Sequence, residues 1–150
     1  MEIIKTKSLT LIQSEQINAL WNSEYPVKLK DRFSILLEGT AWYNHFLIED
    51  ANRSIIAWAV IFEHTEQIRF SIIVSQHHQG KGLGKLLLDQ LKSQYNEFYG
   101  WVIDHNDDLK SNGTNYISPL PFYVKQGFEI IPNKRITSEM LQAVLVGWKK

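Results

Sequence analysis

From residue 41 to residue 74 the apolar residues come in short, dense runs parted by turn formers, and from Leu83 onward they recur at helical spacing. The opening MEIIKT (1–6) predicts a short first strand. SEQINALWNSEYP (14–26) carries apolar residues at Ile17, Leu20 and Trp21, with Ser14 as its cap and Pro26 as its stop, and predicts an amphipathic helix. KLKDRFSILLEG (28–39) predicts a second helix, ended by Gly39. AWYNHFLIED (41–50) and SIIAWAVIFE (54–63), joined by a turn at 50–53, predict a hairpin. HTEQ (64–67) then turns the chain into a third antiparallel partner, IRFSIIV (68–74).

The helical run is marked by apolar residues at 83, 86, 87, 88 and 91. FYGWVID (98–104) follows that helix and is expected to lie parallel to the strand before it. SPLPFYVKQG (118–127) predicts a short helix, with Ser118 as cap, Pro119 and Pro121 in the first turn and Gly127 at the end. FEIIPN (128–133) predicts a strand. LQAVLVGWKK (141–150) is either a final strand or, read from TSEMLQAVL, the start of a helix. A meander, a crossover helix and a closing hairpin make a single-domain α/β fold over 1–150. Its mixed, mostly antiparallel sheet has about six to seven twisted strands, with helices on both faces.

Composition narrows what such a fold can do. The chain has 150 residues, 44% hydrophobic and 12% aromatic, enough for one well-buried core. Sixteen basic and sixteen acidic side chains cancel, so no global field draws it to nucleic acid or an anionic membrane, and any anion must be held locally. Cysteine is absent, which excludes disulfides, thiolate metal sites and a cysteine nucleophile and fits a reducing cytoplasm. The longest apolar run, Ile55 to Phe62, is far too short to span a bilayer, and the start lacks the regions of a signal peptide. A cytoplasmic protein without membrane or nucleic-acid partners is expected, as a monomer or homodimer.

One stretch resists a purely structural reading. Between Gly80 and Lys85 the chain packs three glycines and two lysines at the start of a leucine-rich helix, although glycine there costs about 1 kcal/mol per residue relative to alanine. A strand feeding a helix N-terminus leaves amide N–H groups unpaired and the dipole pointing outward, a site for phosphate. Gly80, Gly82 and Gly84 would let backbone approach the anion, with Lys81 and Lys85 adding charge. The Walker A spacing fails, because Gln79 stands where its first glycine belongs and Leu86 follows the lysine. The dinucleotide fingerprint fails at Lys85 or Leu87, depending on its starting glycine.

The stretch does resemble the acetyl-CoA signature Q/R-x-x-G-x-G/A of the GNAT acetyltransferases, met by Gln79, Gly82 and Gly84. PFYVKQGFEI downstream is similar to a second segment of that family, matching Tyr123, Gly127 and Phe128. Resemblance in motif detail runs roughly from Ser54 to Glu129. The family's asparagine and alanine upstream of the tyrosine are not matched, since that frame falls on Tyr116 and Pro119. The loop 105–118 exceeds the family's usual connection and is expected to be substrate-specific.

The resemblance implies acetyl-CoA as co-substrate, its pyrophosphate on the amides from Gln79 through Gly80, Lys81, Gly82, Leu83 and Gly84 to Lys85. It implies a pantetheine arm along Ile72 and Val74, where the central parallel pair splays apart. It implies N-acetyl transfer to a primary amine, small-molecule or peptide, by direct attack through a tetrahedral intermediate, with Tyr123 donating a proton to the departing thiolate. An alkylamine near pKa 10.4 costs about 4.6 kcal/mol to deprotonate at neutral pH, an α-amine near 8 about 1.4. Asp104 and His105, at a strand end beside the expected cleft, are the first candidates for the base, and Glu63 is the alternative. No metal is expected: His77 and His78 are adjacent and diverge, and the calcium-like spacing of Asp104, Asn106 and Asp108 has Leu109 for the required glycine. Two other readings stand beside the enzyme: a CoA-binding sensor or regulatory subunit without catalysis, and an interaction domain whose glycine junction is only tight packing.

Overall fold

A computed structural model describes residues 2–150, and it holds seven strands in one sheet. β1 (Ile4–Thr6), β2 (Tyr43–Glu49), β3 (Ile55–His64) and β4 (Gln67–Val74) form the meander, each antiparallel to its neighbour. The first strand was expected from Met1, which lies outside the described residues. β5 (Glu97–Ile103) is parallel to β4, and β7 (Gln142–Lys149) and β6 (Glu129–Thr137) complete the order β1-β2-β3-β4-β5-β7-β6. The helix α2 (Leu83–Gln94) makes the crossover from β4 to β5.

The two faces carry separate cores. Under α2 and the short α3 (Leu120–Lys125), the leucines 87, 88 and 91 are fully buried against Phe46, Ile48, Phe98 and Phe128. Each such side chain contributes roughly 2 kcal/mol of transfer free energy. On the opposite face α1 (Leu11–Glu24) presses Ile17, Leu20 and Trp21 onto Trp58, Val60, Phe62 and Ile73. Successive residues of β3 and β4 therefore serve different cores, as the period of two requires.

Four expectations change in detail. α1 starts at Leu11, and its cap is Thr10, not Ser14: Thr10 Oγ1 accepts from the Gln13 N–H (3.1 Å) and Gln13 Oε1 accepts from the Thr10 N–H (2.9 Å). This reciprocal box sits before two exposed residues, Leu11 and Ile12, so the apolar stripe begins a turn later than the helix. The helix expected over 28–39 is instead two 3-10 turns, Val27–Leu29 and Arg32–Ile35, parted by Asp31 at φ 61°. Asn22 takes the Asp31 N–H (2.8 Å) and donates to its carboxylate (2.8 Å), and Asn18 adds a third bond (3.1 Å), so ties to α1 override local helix formation. Leu86 is exposed and off the buried stripe. The chain's end resolves to strand, and β6 runs four residues beyond the expected 133, past an irregularity between Ile130 and Arg135.

The parallel pair positions the site. β4 and β5 share register only at Arg69 and Tyr99, near their starts, and past that point the β5 side of β4 is unpaired.

Candidate active site

At the open end of β4 the chain makes a 3-10 turn, Gln76–His78, and then bends through Gly80 and Gly82, both at φ +79°, into α2. A side chain at either glycine would meet nothing within 4 Å, so both face open space. Gly82 caps the helix with no side-chain bond; its carbonyl accepts from the Leu86 N–H (2.9 Å). No main-chain N–H from Gln79 to Lys85 donates to another group among the described residues. Unpaired N–H groups at the positive end of a helix dipole are the chemistry that suits an anion. The Gln79 side-chain amide donates to the Val74 carbonyl (3.1 Å) and ties the loop to the strand end. Gly84 has a different role: Phe122 Cζ lies 3.3 Å from where its Cβ would be, so the missing side chain lets α3 close on α2.

This loop lines a cavity of about 740 Å³ at the gap between β4 and β5, whose other lining residues come from both faces of the sheet. The α2-side half is lined by Ile72, Val74, Gln79, Gly80, Gly82, Leu83, Gly84 and Lys85, with Phe122 and Tyr123 opposite. Tyr123 is buried among Phe70, Phe122 and Phe128, and its hydroxyl bonds no other group among the described residues. Burial pushes this phenol far above its ordinary value, with nearby Tyr25 adding a smaller push, so it holds its proton at any physiological pH.

Side chains from distant segments build the α1-side half. Trp21, Glu24 and Tyr25 come from the end of α1, Leu29 from the first 3-10 turn, Leu36 from just after the second, Arg69 and Ser71 from β4, Trp101 from β5 and Tyr116 from the long loop. Tyr25 shares a hydrogen bond with Ser71 (3.0 Å) and packs edge-on to Tyr116. Both phenols are raised by burial, Tyr116 the more strongly.

The loop 105–118 is a docked hairpin. Its Leu109 carbonyl accepts from the Val27 N–H (2.8 Å), Asp108 pairs with Lys28 (2.8 Å), and Lys110 pairs with the buried Glu24 (3.3 Å). The second Glu24 oxygen accepts from the Gln76 N–H (3.0 Å), and Lys110 also donates to the Gln76 side chain (3.1 Å). One buried carboxylate thus joins α1, the loop hairpin and the turn that leads to the glycines.

The expected residues divide accordingly. All the expected anion-site and strand residues except Lys81 line the cavity, and Tyr123 faces them. The three candidate bases are absent from the cavity lining. Asp104 is held by Arg135 in a two-pronged ion pair (2.7 and 3.2 Å), which keeps its carboxyl below the ordinary range. His105 accepts from the Asp107 N–H (3.1 Å) at the base of the hairpin, and Glu63 is absent from the lining. Glu24, Tyr25, Arg69 and Ser71 went unrecognised in the sequence; the strand alternation that puts Arg69 and Ser71 on one face was the available signal. Among the described residues no group of three or more His, Asp or Glu is arranged to hold a metal, and no helix is long and apolar enough to cross a membrane.

Residues 41–130 match the family described as Acetyltransferase (GNAT) domain. No curated protein matches the chain at the sequence level. Among solved structures, the aminoglycoside 6'-N-acetyltransferase from Enterococcus faecium superposes with a TM-score of 0.72 at 11% identity, over 99% of this chain and 97% of that one. Escherichia coli ElaA gives 0.68 at 16% identity, over 98% and 99%. The GNAT superfamily phosphinothricin acetyltransferase from Sinorhizobium meliloti, solved in complex with AcCoA, gives 0.61 at 14% identity, over 99% and 89%. At these identities the likeness establishes a common fold.

Proposed function

The chain belongs to the GNAT acetyltransferase family, and on that premise we propose that it moves an acetyl group from acetyl-CoA to a primary amine. One observation carries this reading: unpaired amides on a glycine-bent loop open into a cavity that passes through the splayed sheet and meets a buried, protonated tyrosine. The donor set fits coenzyme A. The amides from Gln79 to Lys85 suit its diphosphate, and the open space at Gly80 and Gly82 leaves room for it. The unpaired edge of β4 at Ile72 and Val74 suits the amide-bearing pantetheine arm. Bound there, acetyl-CoA would supply the acyl group as an activated thioester.

The remaining work falls to the chain. Tyr123 keeps its proton at Oη and offers it as a hydrogen bond toward the sulfur that the transfer releases; full ionisation of so buried a phenol is far uphill. The apolar walls exclude water and hold the two reactants in one gap, which lowers the entropic part of the barrier. Asp104 is committed to Arg135 and His105 to its hairpin, so we assign neither the amine's proton. Solvent at the cavity mouth takes it, which favours acceptors whose amine is only moderately basic.

Calorimetric titration with acetyl-CoA, followed by a free-thiol assay over an amine panel with wild type and Tyr123→Phe, tests the reading. Micromolar binding is expected, with kcat about 10- to 100-fold lower in the variant and the amine KM within about threefold. Equal thiol release by the two proteins removes Tyr123 from the chemistry. Binding with no thiol release leaves a CoA-binding module, and no heat at high micromolar ligand overturns the proposal.

A further inference from the structure

The α1-side half of the cavity contains one charge that protein does not answer. Two ionic side chains at opposite extremes of partnering line this half, Glu24 and Arg69. Both Glu24 oxygens are engaged, one by the Lys110 ammonium (3.3 Å) and the other by the Gln76 N–H (3.0 Å) and the Ser23 hydroxyl (3.4 Å). Arg69 has five N–H donors and uses one: Nε donates to Gln67 Oε1 (3.0 Å). Its guanidinium lies over the Trp101 ring, 5.9 Å from the centroid, and it makes no ion pair among the described residues. Burial lowers its proton affinity with no opposing acidic neighbour, whereas Arg135 gains affinity from Asp104.

A half-buried guanidinium with a free fork is costly unless an anion fills it, and a flat two-oxygen acceptor fits that fork best. Arg69 lies five residues back along β4 from Val74, about 16 Å at strand spacing, so an anion there sits well away from the glycine loop. Beside the hydrogen-bonded Tyr25–Ser71 pair, this half is lined by the apolar and aromatic Phe62, Leu36, Trp21 and Trp101, and Phe62 is the cross-strand partner of Arg69.

We propose that the acceptor is an amine that also carries a carboxylate, gripped by Arg69, with an apolar body lying between Phe62, Leu36 and Trp101. This rests on the acetyltransferase reading for the fate of the amine but not for the carboxylate grip. An acceptor bearing a second cationic group is disfavoured, because the one lining carboxylate is already occupied.

The experiment pairs L-phenylalanine with 2-phenylethylamine and L-leucine with isopentylamine, then extends to the other L-amino acids and their decarboxylated amines. Each is titrated against the protein with coenzyme A present and absent, and assayed for thiol release with acetyl-CoA. The expected result is that at least one carboxylated member exceeds its partner by about tenfold or more in affinity or kcat/KM. That ratio falls to within about twofold in Arg69→Gln and recovers in part in Arg69→Lys, with thermal melting checking that both variants fold. A wild-type ratio below about two for every pair, a ratio unchanged in Arg69→Gln, or no binding by any carboxylated member overturns the proposal. The coenzyme A arm reports separately on the acetyltransferase reading, because a carboxylate preference without coenzyme A binding would fail that reading and keep Arg69.

Discussion

The two halves of the cavity are built in opposite ways. On the α2 side the proposed binding groups are main-chain amides, presented by a bend that needs glycine at Gly80 and Gly82 and little else. On the α1 side they are side chains from α1, two 3-10 turns, three strands and a loop hairpin, held by the Glu24–Lys110 pair and the Asp108–Lys28 pair. A backbone site tolerates wide change in its surroundings as long as the bend survives. A side-chain site can be redrawn by single substitutions, which suits the half proposed to meet the acceptor.

The sharpest way to break the contrast is to attack the bend itself. Gly82→Val asks a β-branched residue to hold φ +79°, at a cost of about 1 to 2 kcal/mol, and pushes methyl groups into the space left for the anion. Acetyl-CoA affinity should fall more than 100-fold by calorimetry, while the melting temperature drops by only several degrees. Near-normal affinity in this variant would mean that the backbone is not the site.

The second test leaves the bend intact and cuts the strap on the other half. Lys110→Met strips the buried Glu24 of its counter-charge, and losing one partner of a buried pair costs about 3 kcal/mol. Urea unfolding should show that loss, and the KM for the amine should rise as the hairpin loosens. Acetyl-CoA affinity should stay within about threefold. A matching collapse of acetyl-CoA binding would show the halves to be one unit, coupled through Gln76, which Glu24 and Lys110 both touch.

The same contrast explains what could be read in advance. The glycine bend and the leucine stripe after it adjoin in sequence, and local spacing carries their meaning, whereas Tyr123 was singled out only by the family resemblance of its segment; the strands of the meander likewise declare themselves by dense apolar runs between turns. The 3-10 turns could not be foreseen, because what breaks the helix over 28–39 is a pair of asparagines on α1 reaching Asp31. Asp104 looked like a base because it ends a strand beside the cleft. Its ion pair with Arg135, 31 residues away on β6, depends on the β5-β7-β6 order, which spacing alone does not reveal. Arg69 and Ser71 were hidden in the same way, since their importance comes from which face of β4 they take.

Acid should separate the halves without mutation. His45 is buried, accepts the Trp58 indole N–H (3.0 Å), and burial brings its pKa down to about 4. Below pH 6.5 the unfolded chain takes up this proton and the folded chain does not, so stability falls from pH 6.5 toward 4 and then levels off. The loss attributable to this group is about 3 kcal/mol. Trp58 packs against Phe33 beneath the α1-side wall, so amides of residues 27–36 should exchange faster before those of α2 do. His45→Asn, which keeps an acceptor, should remove this part of the pH slope; an unchanged slope would place the acid sensitivity elsewhere.

The smallest effect belongs to the charge that the sequence makes most conspicuous. Lys81 is exposed, lies off the cavity lining and has no ion-pair partner among the described residues, while Lys85 is engaged by Asp89 (2.7 Å). A mobile ammonium in water adds only a screened attraction to a diphosphate already held by amides, typically well under 1 kcal/mol. Lys81→Ala should therefore weaken acetyl-CoA by about two- to fivefold at 0.1 M salt, and the gap between variant and wild type should close near 1 M, where the screening length shrinks to about 3 Å. A loss of fiftyfold that persists in high salt would transfer the grip from main chain to side chain, and the α2-side half would then be built on the same plan as the other.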